Sequence, residues 1–136
     1  MTTGKHLTYR VGNDLDLDAV IDVYKDSTLG LRRPVDDRAR MKQMLEQANL
    51  VVSAWDGDRL VGIARSMSDF CFATYLSDMA VRLAYQRRGI GKELVRRTQI
   101  EGGRATIFLF AAPAAVDYYP RIGFSAGSGW MLKPDA

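Results

Sequence analysis

The 136-residue sequence predicts an α+β fold, with a mixed central sheet of six to seven strands flanked by about four helices. Two observations indicate this class. Apolar segments on either side of Asp56-Gly57-Asp58 predict an antiparallel hairpin, because Asp-Gly is a strong turn signal. Further along, a strand, a glycine-rich turn, a helix and another apolar strand predict a parallel crossover. No repeat or linker interrupts the chain, so residues 1–136 are predicted to form a single domain.

The elements of the N-terminal half are predicted from apolar periodicity and from capping residues. Asn13 or Asp14 is expected to cap the first helix, and Asp36 the second. In chain order, the elements are a strand at Leu7–Val11, a helix to about Ser27, a loop at Leu29–Val35, a helix to about Ala48, and hairpin strands at Leu50–Trp55 and Leu60–Met67.

The C-terminal half is predicted to alternate strands and helices. Ala105–Ala111 is a continuous apolar run of strand length. Helices on a sheet that begins antiparallel and ends parallel are expected to cover both of its faces. In chain order, the elements are a strand near Tyr75–Val81, a helix at Gly89–Ile100, the apolar strand, a short helix at Ala114–Arg121 and a last strand near Phe124–Leu132.

A basic, glycine-rich turn joins the strand near Tyr75–Val81 to the next helix. Backbone N–H groups at such a turn, with the partial positive charge of a helix N-terminus, bind phosphate groups. Glycine has no Cβ, so the main chain can approach an anion closely. The turn is therefore predicted to bind a pyrophosphate through Gln86, Arg87, Arg88, Gly89, Ile90, Gly91 and Lys92.

Two familiar phosphate-binding loops do not match this turn. The P-loop requires Ser or Thr after its lysine, whereas Glu93 follows Lys92. The dinucleotide fingerprint requires a third glycine, and Leu94 takes its place when the pattern is counted from Gly89. Taken alone, the glycines have a second explanation, which is tight packing of a strand against a helix.

A second motif, D-Y-Y-P-R-I-G-F at Asp117–Phe124, lies about thirty residues downstream. With Q-x-x-G-x-G at Gln86–Gly91, it resembles the two signatures of the GNAT N-acetyltransferase superfamily. The resemblance extends over roughly residues 60–132. It implies the GNAT fold, in which the fourth and fifth strands splay apart, and an acetyl-CoA-dependent N-acetyltransferase.

The resemblance also implies how the co-substrate acetyl-CoA is bound, with no metal. The pantetheine arm is expected to pair with the main chain of Met79, Ala80 and Val81, and Gln86–Lys92 to hold the pyrophosphate. The acetyl group would pass to the primary amine of a small-molecule acceptor by direct attack in a ternary complex. One departure is Ala111–Pro113, where many relatives carry an asparagine that contacts pantetheine or substrate.

Tyr119 and Asp78 are the candidates for the proton transfers. The resemblance makes Tyr119 the general acid toward the coenzyme A sulfur and Tyr118 a packing residue; alternatively, Tyr119 anchors the short helix over the cofactor. Asp78 is a candidate base or water-positioning group, and a hydrogen-bonded carboxylate of the sheet is its alternative role. Because side chains alternate along a strand, Ser77 and Asp78 should face opposite sides unless a bulge intervenes.

Composition limits the classes of binding partner and the cellular location that are expected for the chain. The net charge of +3 comes from scattered basic residues, so an anionic cofactor explains it better than nucleic acid does. No apolar stretch reaches the ~20 residues of a membrane span. One cysteine, Cys71, expected to be at least half-buried, and one histidine, His6, provide neither a disulfide nor a metal site. The chain is therefore expected to be cytoplasmic.

Three alternatives stay open at this point. The domain could be a non-catalytic acetyl-CoA sensor or partner module instead of an enzyme. Its last strand could form the edge of a homodimer or a wall of the acceptor site. Arg32 and Arg33, in the loop expected to border the acceptor, could attract an acidic acceptor or could be solvated.

Overall fold

The computed structural model describes residues 7–134, which form one mixed sheet with helices on both faces. The strands are β1 (Leu7–Val11), β2 (Leu50–Asp56), β3 (Arg59–Ser68), β4 (Ala73–Val81) and β5 (Thr106–Phe108). The α-helices are α1 (Leu17–Asp26), α2 (Arg38–Gln47), α3 (Ile90–Glu101) and α4 (Tyr118–Arg121). Neighbouring strands follow sequence order; β4 and β5 are parallel, and the other pairs are antiparallel.

The caps of the first two helices lie later in the chain than predicted. The shift is two or three residues for α1 and one residue for α2. Asp16 caps α1 by accepting from the Ala19 N–H, and Asp37 caps α2 by accepting from the Arg40 N–H. Asn13, one of the predicted caps, instead donates to the Ala48 carbonyl, 2.9 Å away. Its side-chain amide therefore bonds to a main-chain oxygen at the end of α2. Capping rules, which concern the residues next to a helix end, do not predict this long-range contact.

Two apolar clusters hold the helices against the sheet. On one face, α1 and α2 bury side chains against the sheet, among them Val23, Tyr24 and Met41. On the other face, α3 buries Ile90 and Leu94 against the sheet. Each helix thus covers the sheet with its apolar side, as amphipathic packing requires.

The sheet has five strands in the described chain, so the prediction of six to seven was wrong. The strand predicted at Ala105–Ala111 shortens to β5, and Phe124–Leu132 forms no strand. Phe124 packs against Tyr119, but Trp130 and Leu132 are 92% and 97% exposed, so the end of this segment has no packed face. Strand propensity depends on pairing and burial, and neither is supplied here.

Three other expectations need correction. The loop at Leu29–Val35 contains a short 3-10 turn, Leu29–Arg32. The helix predicted at Ala114–Arg121 divides into a 3-10 turn at Pro113–Ala115 and α4. Cys71 is exposed and lies in the turn between β3 and β4.

Across residues 7–134, no helix is both long and apolar enough to span a bilayer.

Candidate functional site

The pairing of β4 with β5 ends part-way along β4. The parallel ladder contains three pairs and stops at Tyr75 and Phe108, although β4 continues to Val81. Beyond Tyr75, no described strand pairs with β4 on its β5 side. The main chain of residues 76–81 therefore has an edge that another hydrogen-bonding chain can join, although the Ser77 and Val81 carbonyls already accept from Arg33 and Gln86.

Met79, Ala80 and Val81 all lie on this edge. Met79 and Val81 pack toward the α3 side of the sheet, and Ala80 is buried toward α1 and α2. Their side chains are thus occupied by packing on the two faces. What they can offer a ligand at the strand edge is the main chain.

The glycine-rich turn starts α3 without a side-chain cap. Gly89 is the N-cap residue, with φ +82° and no side-chain hydrogen bond to the helix, whereas α1 and α2 are both capped by aspartates. Gly89 has open space where a Cβ would be. Ile90 is 2% exposed, so it can face a ligand only through its N–H. The first-turn N–H groups are therefore suited to an external anion.

Two long side chains fix the turn, and others remain on its surface. The Gln86 amide donates to the Val81 carbonyl at 2.9 Å, which links the turn to the end of β4. The Arg88 guanidinium lies 5.3 Å from the ring centroid of Tyr85. Arg87 and Lys92 are exposed, and Arg87 has φ +63°, a conformation that non-glycine residues rarely adopt. The turn thus combines a strained backbone with mobile positive charge.

Gly91 has a different role from Gly89. A Cβ added at Gly91 would lie 2.9 Å from the Tyr118 hydroxyl and 3.5 Å from Met79 Cε. The missing side chain makes room for the phenol of Tyr118, between the first turn of α3 and β4. The sequence predicted Tyr118 as a packing aromatic, whereas the structure brings its hydroxyl beside the turn.

The Tyr119 ring packs between Tyr118 and Phe124. The two tyrosine rings are nearly perpendicular, with centroids 5.2 Å apart, and the Tyr119 ring meets Phe124 at 5.4 Å. Burial, with a smaller contribution from Tyr118, raises the pKa of Tyr119 above 10.0, although the Arg32 charge acts in the opposite direction. The phenol is therefore protonated at neutral pH and can donate a hydrogen bond.

Asp78 lies in a buried network of charged groups. Its Oδ1 accepts from Arg33 Nε at 2.5 Å and from Ser77 Oγ at 3.1 Å. Its Oδ2 accepts from Arg65 Nε at 2.5 Å and from the Tyr24 hydroxyl at 2.7 Å. Burial alone would raise the Asp78 pKa, but Arg65, Tyr24 and Arg33 together hold it below 3.8. Four donors thus occupy a carboxylate whose basicity is reduced.

A β-bulge at Ser77 produces this arrangement. Arg65 of β3 pairs with Asp78, and Ser66 pairs with Leu76, which leaves Ser77 without a partner on β3. Leu76 consequently packs on the α3 side, while Asp78 bonds to Tyr24 on the α1 side. Ser77 Oγ also accepts from Arg65 Nη2, so the side chains of Ser77 and Asp78 enter one network. The exception to alternation that the sequence analysis allowed for is present.

No cluster of three or more potential metal-ligating His, Cys, Asp or Glu side chains is found within residues 7–134. His6 lies outside the described residues.

The geometry can now be compared with known proteins. The acetyltransferase (GNAT) domain family matches residues 25–129. This chain belongs to the GNAT family. The matched range contains the bulge of β4, the glycine-rich turn and both tyrosines of α4.

GNAT relatives agree in sequence and in fold. An uncharacterized N-acetyltransferase ycf52-like protein of Prochlorococcus marinus is 34% identical over 110 residues, covering 76% of this chain and 56% of that protein. The chain thus spans about half the length of this relative. A GNAT-family acetyltransferase structure from Streptococcus pneumoniae superposes with a TM-score of 0.75 at 23% identity, covering 94% of this chain and 99% of that one.

A second structural neighbour is named for its ligand. It is an aminoglycoside acetyltransferase in complex with a bisubstrate analogue, CoA-S-monomethyl-acetylneamine. Its TM-score is 0.72 at 18% identity, covering 96% of this chain and 99% of that one. At this identity, the likeness establishes a common fold.

Three residues of the site were missed by the sequence analysis: Tyr24, Arg33 as an ion-pair partner, and Arg65. Arg65 had a usable signal, because it interrupts the apolar run Leu60–Met67 and a buried charge requires a partner. Tyr24 and Arg33 had none, since their contacts with Asp78 cross 54 and 45 residues.

Proposed function

We propose that this GNAT domain is an acetyl-CoA-dependent N-acetyltransferase that acetylates the primary amine of a small molecule. The supporting observation is a single juxtaposition. The uncapped, glycine-led N-terminus of α3 adjoins the β4 edge that β5 leaves unpaired. A ligand with a diphosphate at one end and an amide-containing arm at the other matches both features.

The residues assigned to binding are those that the motif indicated. Met79, Ala80 and Val81 contribute main-chain groups to the arm, and Gln86–Lys92 surround the pyrophosphate. Within the turn, Gly89 and Ile90 contribute N–H groups, because Ile90 is buried and Gly89 has no side chain. Arg87, Arg88 and Lys92 add positive charge, and the Gln86 side chain fixes the turn to β4.

Bound acetyl-CoA supplies an acetyl thioester, which a neutral amine attacks directly in a ternary complex with release of the thiol. Tyr119 is the residue that we assign to the departing sulfur. Its raised pKa makes complete proton transfer costly, so its role is a hydrogen bond to developing negative charge. The structural neighbour bound to a coenzyme A–aminoglycoside conjugate supports a site that holds donor and amine together.

We assign Asp78 a positioning role in place of the base role that the sequence suggested. Its four hydrogen bonds and lowered pKa leave little capacity to accept a proton from an amine. Through Arg33, it instead fixes the loop after α1 against β4. The amine then loses its proton to water.

Thermal stability tests the binding half of the proposal. Acetyl-CoA at a hundredfold excess over its dissociation constant should stabilise the fold by about 2.7 kcal/mol, which is a shift of several degrees in Tm. Gly89→Asp adds an anion at the turn and should abolish this shift. Gly57→Asp is the matched control, because both glycines have positive φ and open space around the missing Cβ. Equal shifts in both variants would contradict the assigned site.

Release of free thiol with a panel of primary amines tests the catalytic half. The proposal requires amine-dependent release by the wild type and none above background by Gly89→Asp. A protein that acetyl-CoA stabilises, but that releases thiol with no amine, would instead be the non-catalytic binding module. That result would contradict the enzyme assignment and leave the binding site standing.

A further inference from the structure

The hydroxyl of Tyr118 is placed where a cofactor phosphate is expected. It is close to the first turn of α3, since a Cβ at Gly91 would be only 2.9 Å from it. No hydrogen bond of this hydroxyl to another residue is found within residues 7–134, and Tyr118 is half-buried. Burial raises its pKa above 10.0, so the group is a donor at neutral pH.

Packing explains the ring of Tyr118 but not its hydroxyl. The ring is held edge-on against Tyr119, and its hydroxyl and Met79 Cε both lie within 3.5 Å of the position that a Gly91 Cβ would take. A phenylalanine would make the same apolar contacts without partly withdrawing an O–H group from water. A half-buried hydroxyl without a protein partner is better explained by a ligand that accepts its hydrogen bond.

We propose that Tyr118 donates a hydrogen bond to a pyrophosphate oxygen of the bound coenzyme. This inference rests on the proposed function, and it adds one side-chain donor to a turn assigned mainly through main-chain N–H groups. The phosphate is the group concerned because the hydroxyl adjoins Gly91, within the turn. No hydrogen bond joins Tyr118 to the main chain of Met79 within the described residues, so nothing directs its hydroxyl toward the pantetheine edge.

The two tyrosines of α4 consequently have different roles. Tyr118 lies beside the turn and contributes to coenzyme affinity. Tyr119 packs against Phe124, and the Arg32 charge from the loop after α1 acts to lower its pKa. Because Tyr118 and Tyr119 are adjacent but are assigned to different parts of the coenzyme, their Tyr→Phe variants form a matched pair. Tyr→Phe removes only the hydroxyl in each case, so packing is retained.

The experiment is calorimetric titration of wild type, Tyr118→Phe and Tyr119→Phe with two ligands. Coenzyme A has both the pyrophosphate and the arm, and ADP has the diphosphate without the arm. We expect Tyr118→Phe to weaken both ligands by about tenfold or more, since hydrogen bonds to charged groups have this magnitude. We expect Tyr119→Phe to leave ADP affinity within about twofold, because ADP has no sulfur for the Tyr119 hydroxyl to contact. Far-UV circular dichroism confirms that each variant is folded.

Three results would overturn the assignment. Unchanged coenzyme A affinity in Tyr118→Phe would show that the hydroxyl has no phosphate partner. Weakened coenzyme A with unchanged ADP would place the hydroxyl on the arm. Equal weakening of ADP by both variants would reflect loosening of α4 instead of one hydrogen bond. If wild type binds neither ligand, the proposed function itself fails, which is distinguishable from all three.

Discussion

Arg33 and Asp78 connect the loop after α1 to the bulge of β4. Arg33 Nε lies 2.5 Å from Asp78 Oδ1, and Arg33 Nη2 lies 2.7 Å from the main-chain oxygen of Ser77. On the other side of the carboxylate, Arg65 makes a second ion pair from β3. One buried anion therefore holds two cations from separate parts of the chain. Because the loop would border the acceptor, this contact bears on both stability and substrate binding.

Asp78→Asn should be strongly destabilising. The side chain of Asp78 is fully buried, and neutralising it leaves Arg33 and Arg65 without their counterion. Removing one partner from such a buried group costs about 3–5 kcal/mol. Urea denaturation measures this loss. Asp18→Asn is the control, because its ion pair with Arg38 is exposed and should contribute within about 1 kcal/mol. An Asp78→Asn variant as stable as Asp18→Asn would contradict the network.

The unfolding free energy should decrease in acid over a defined window. The pKa of Asp78 lies below 3.8 despite its burial, hydrogen bonds from Arg96 and Arg97 lower that of Glu93 to about 2, and backbone N–H groups lower that of Asp69 to about 2. Groups with lowered folded-state pKa stabilise the fold above their unfolded-state values. Stability should thus be flat between about pH 7 and 5 and fall from about pH 4 toward 2.

Denaturation at a series of pH values checks this window. Asp78→Asn should show a shallower acid decline than wild type, because it lacks one of the titrating groups. Parallel declines would mean that Asp78 titrates alike in the folded and unfolded chains.

Arg33→Ala should affect the acceptor more than the cofactor. The variant removes the link between the loop and β4, so the loop loses its position, while the turn that begins α3 is untouched. We expect the KM for the amine to rise about tenfold, with coenzyme A affinity unchanged. Arg33→Lys keeps the charge but not the two-nitrogen contact, and should recover part of the loss. A comparable loss of coenzyme A affinity would point to general unfolding.

Gly89→Ala and Gly91→Ala should separate stability from binding. Gly89 has φ +82°, so alanine there should cost about 1 kcal/mol through backbone strain. At Gly91, the gain in helix propensity offsets the crowding, so stability should change by less than about 1 kcal/mol. The added methyl, however, displaces the Tyr118 hydroxyl and should weaken coenzyme A binding. Denaturation and calorimetry on both variants measure the two effects, and full affinity in Gly91→Ala would contradict the second.

Tyr119→Phe should lower kcat by about a hundredfold to a thousandfold, as loss of one hydrogen bond to a developing anion does. Because burial raises the Tyr119 pKa above 10.0, the phenol stays protonated throughout the neutral range. The wild-type kcat/KM should rise with pH as the amine loses its proton, with no decline below about pH 10. Steady-state rates across pH check this. A decline near pH 8 would indicate a different acid.

The sequence predicted most elements because their signals are local. The Asp-Gly turn specified the hairpin, apolar runs specified β1 and β4, and the glycine pattern placed the start of α3 within one residue. Helix caps were displaced by one to three residues, because several aspartates precede each helix and only packing selects among them. The last strand failed because apolar residues form strands only where a partner strand and a core exist.

The sequence predicted the turn, Asp78 and Tyr119 as candidate site residues, and the tertiary structure supplied the contacts that they make. The turn at Gln86–Lys92 is predictable because glycine, positive charge and a helix start are contiguous in the chain. The ion pairs of Asp78 with Arg33 and Arg65, and the approach of Tyr118 to Gly91, join residues that are far apart in the chain. The bulge at Ser77 likewise depends on how β3 pairs with β4. Each depends on which elements pack together, and that choice is made by burial across the whole domain, beyond the reach of local propensity.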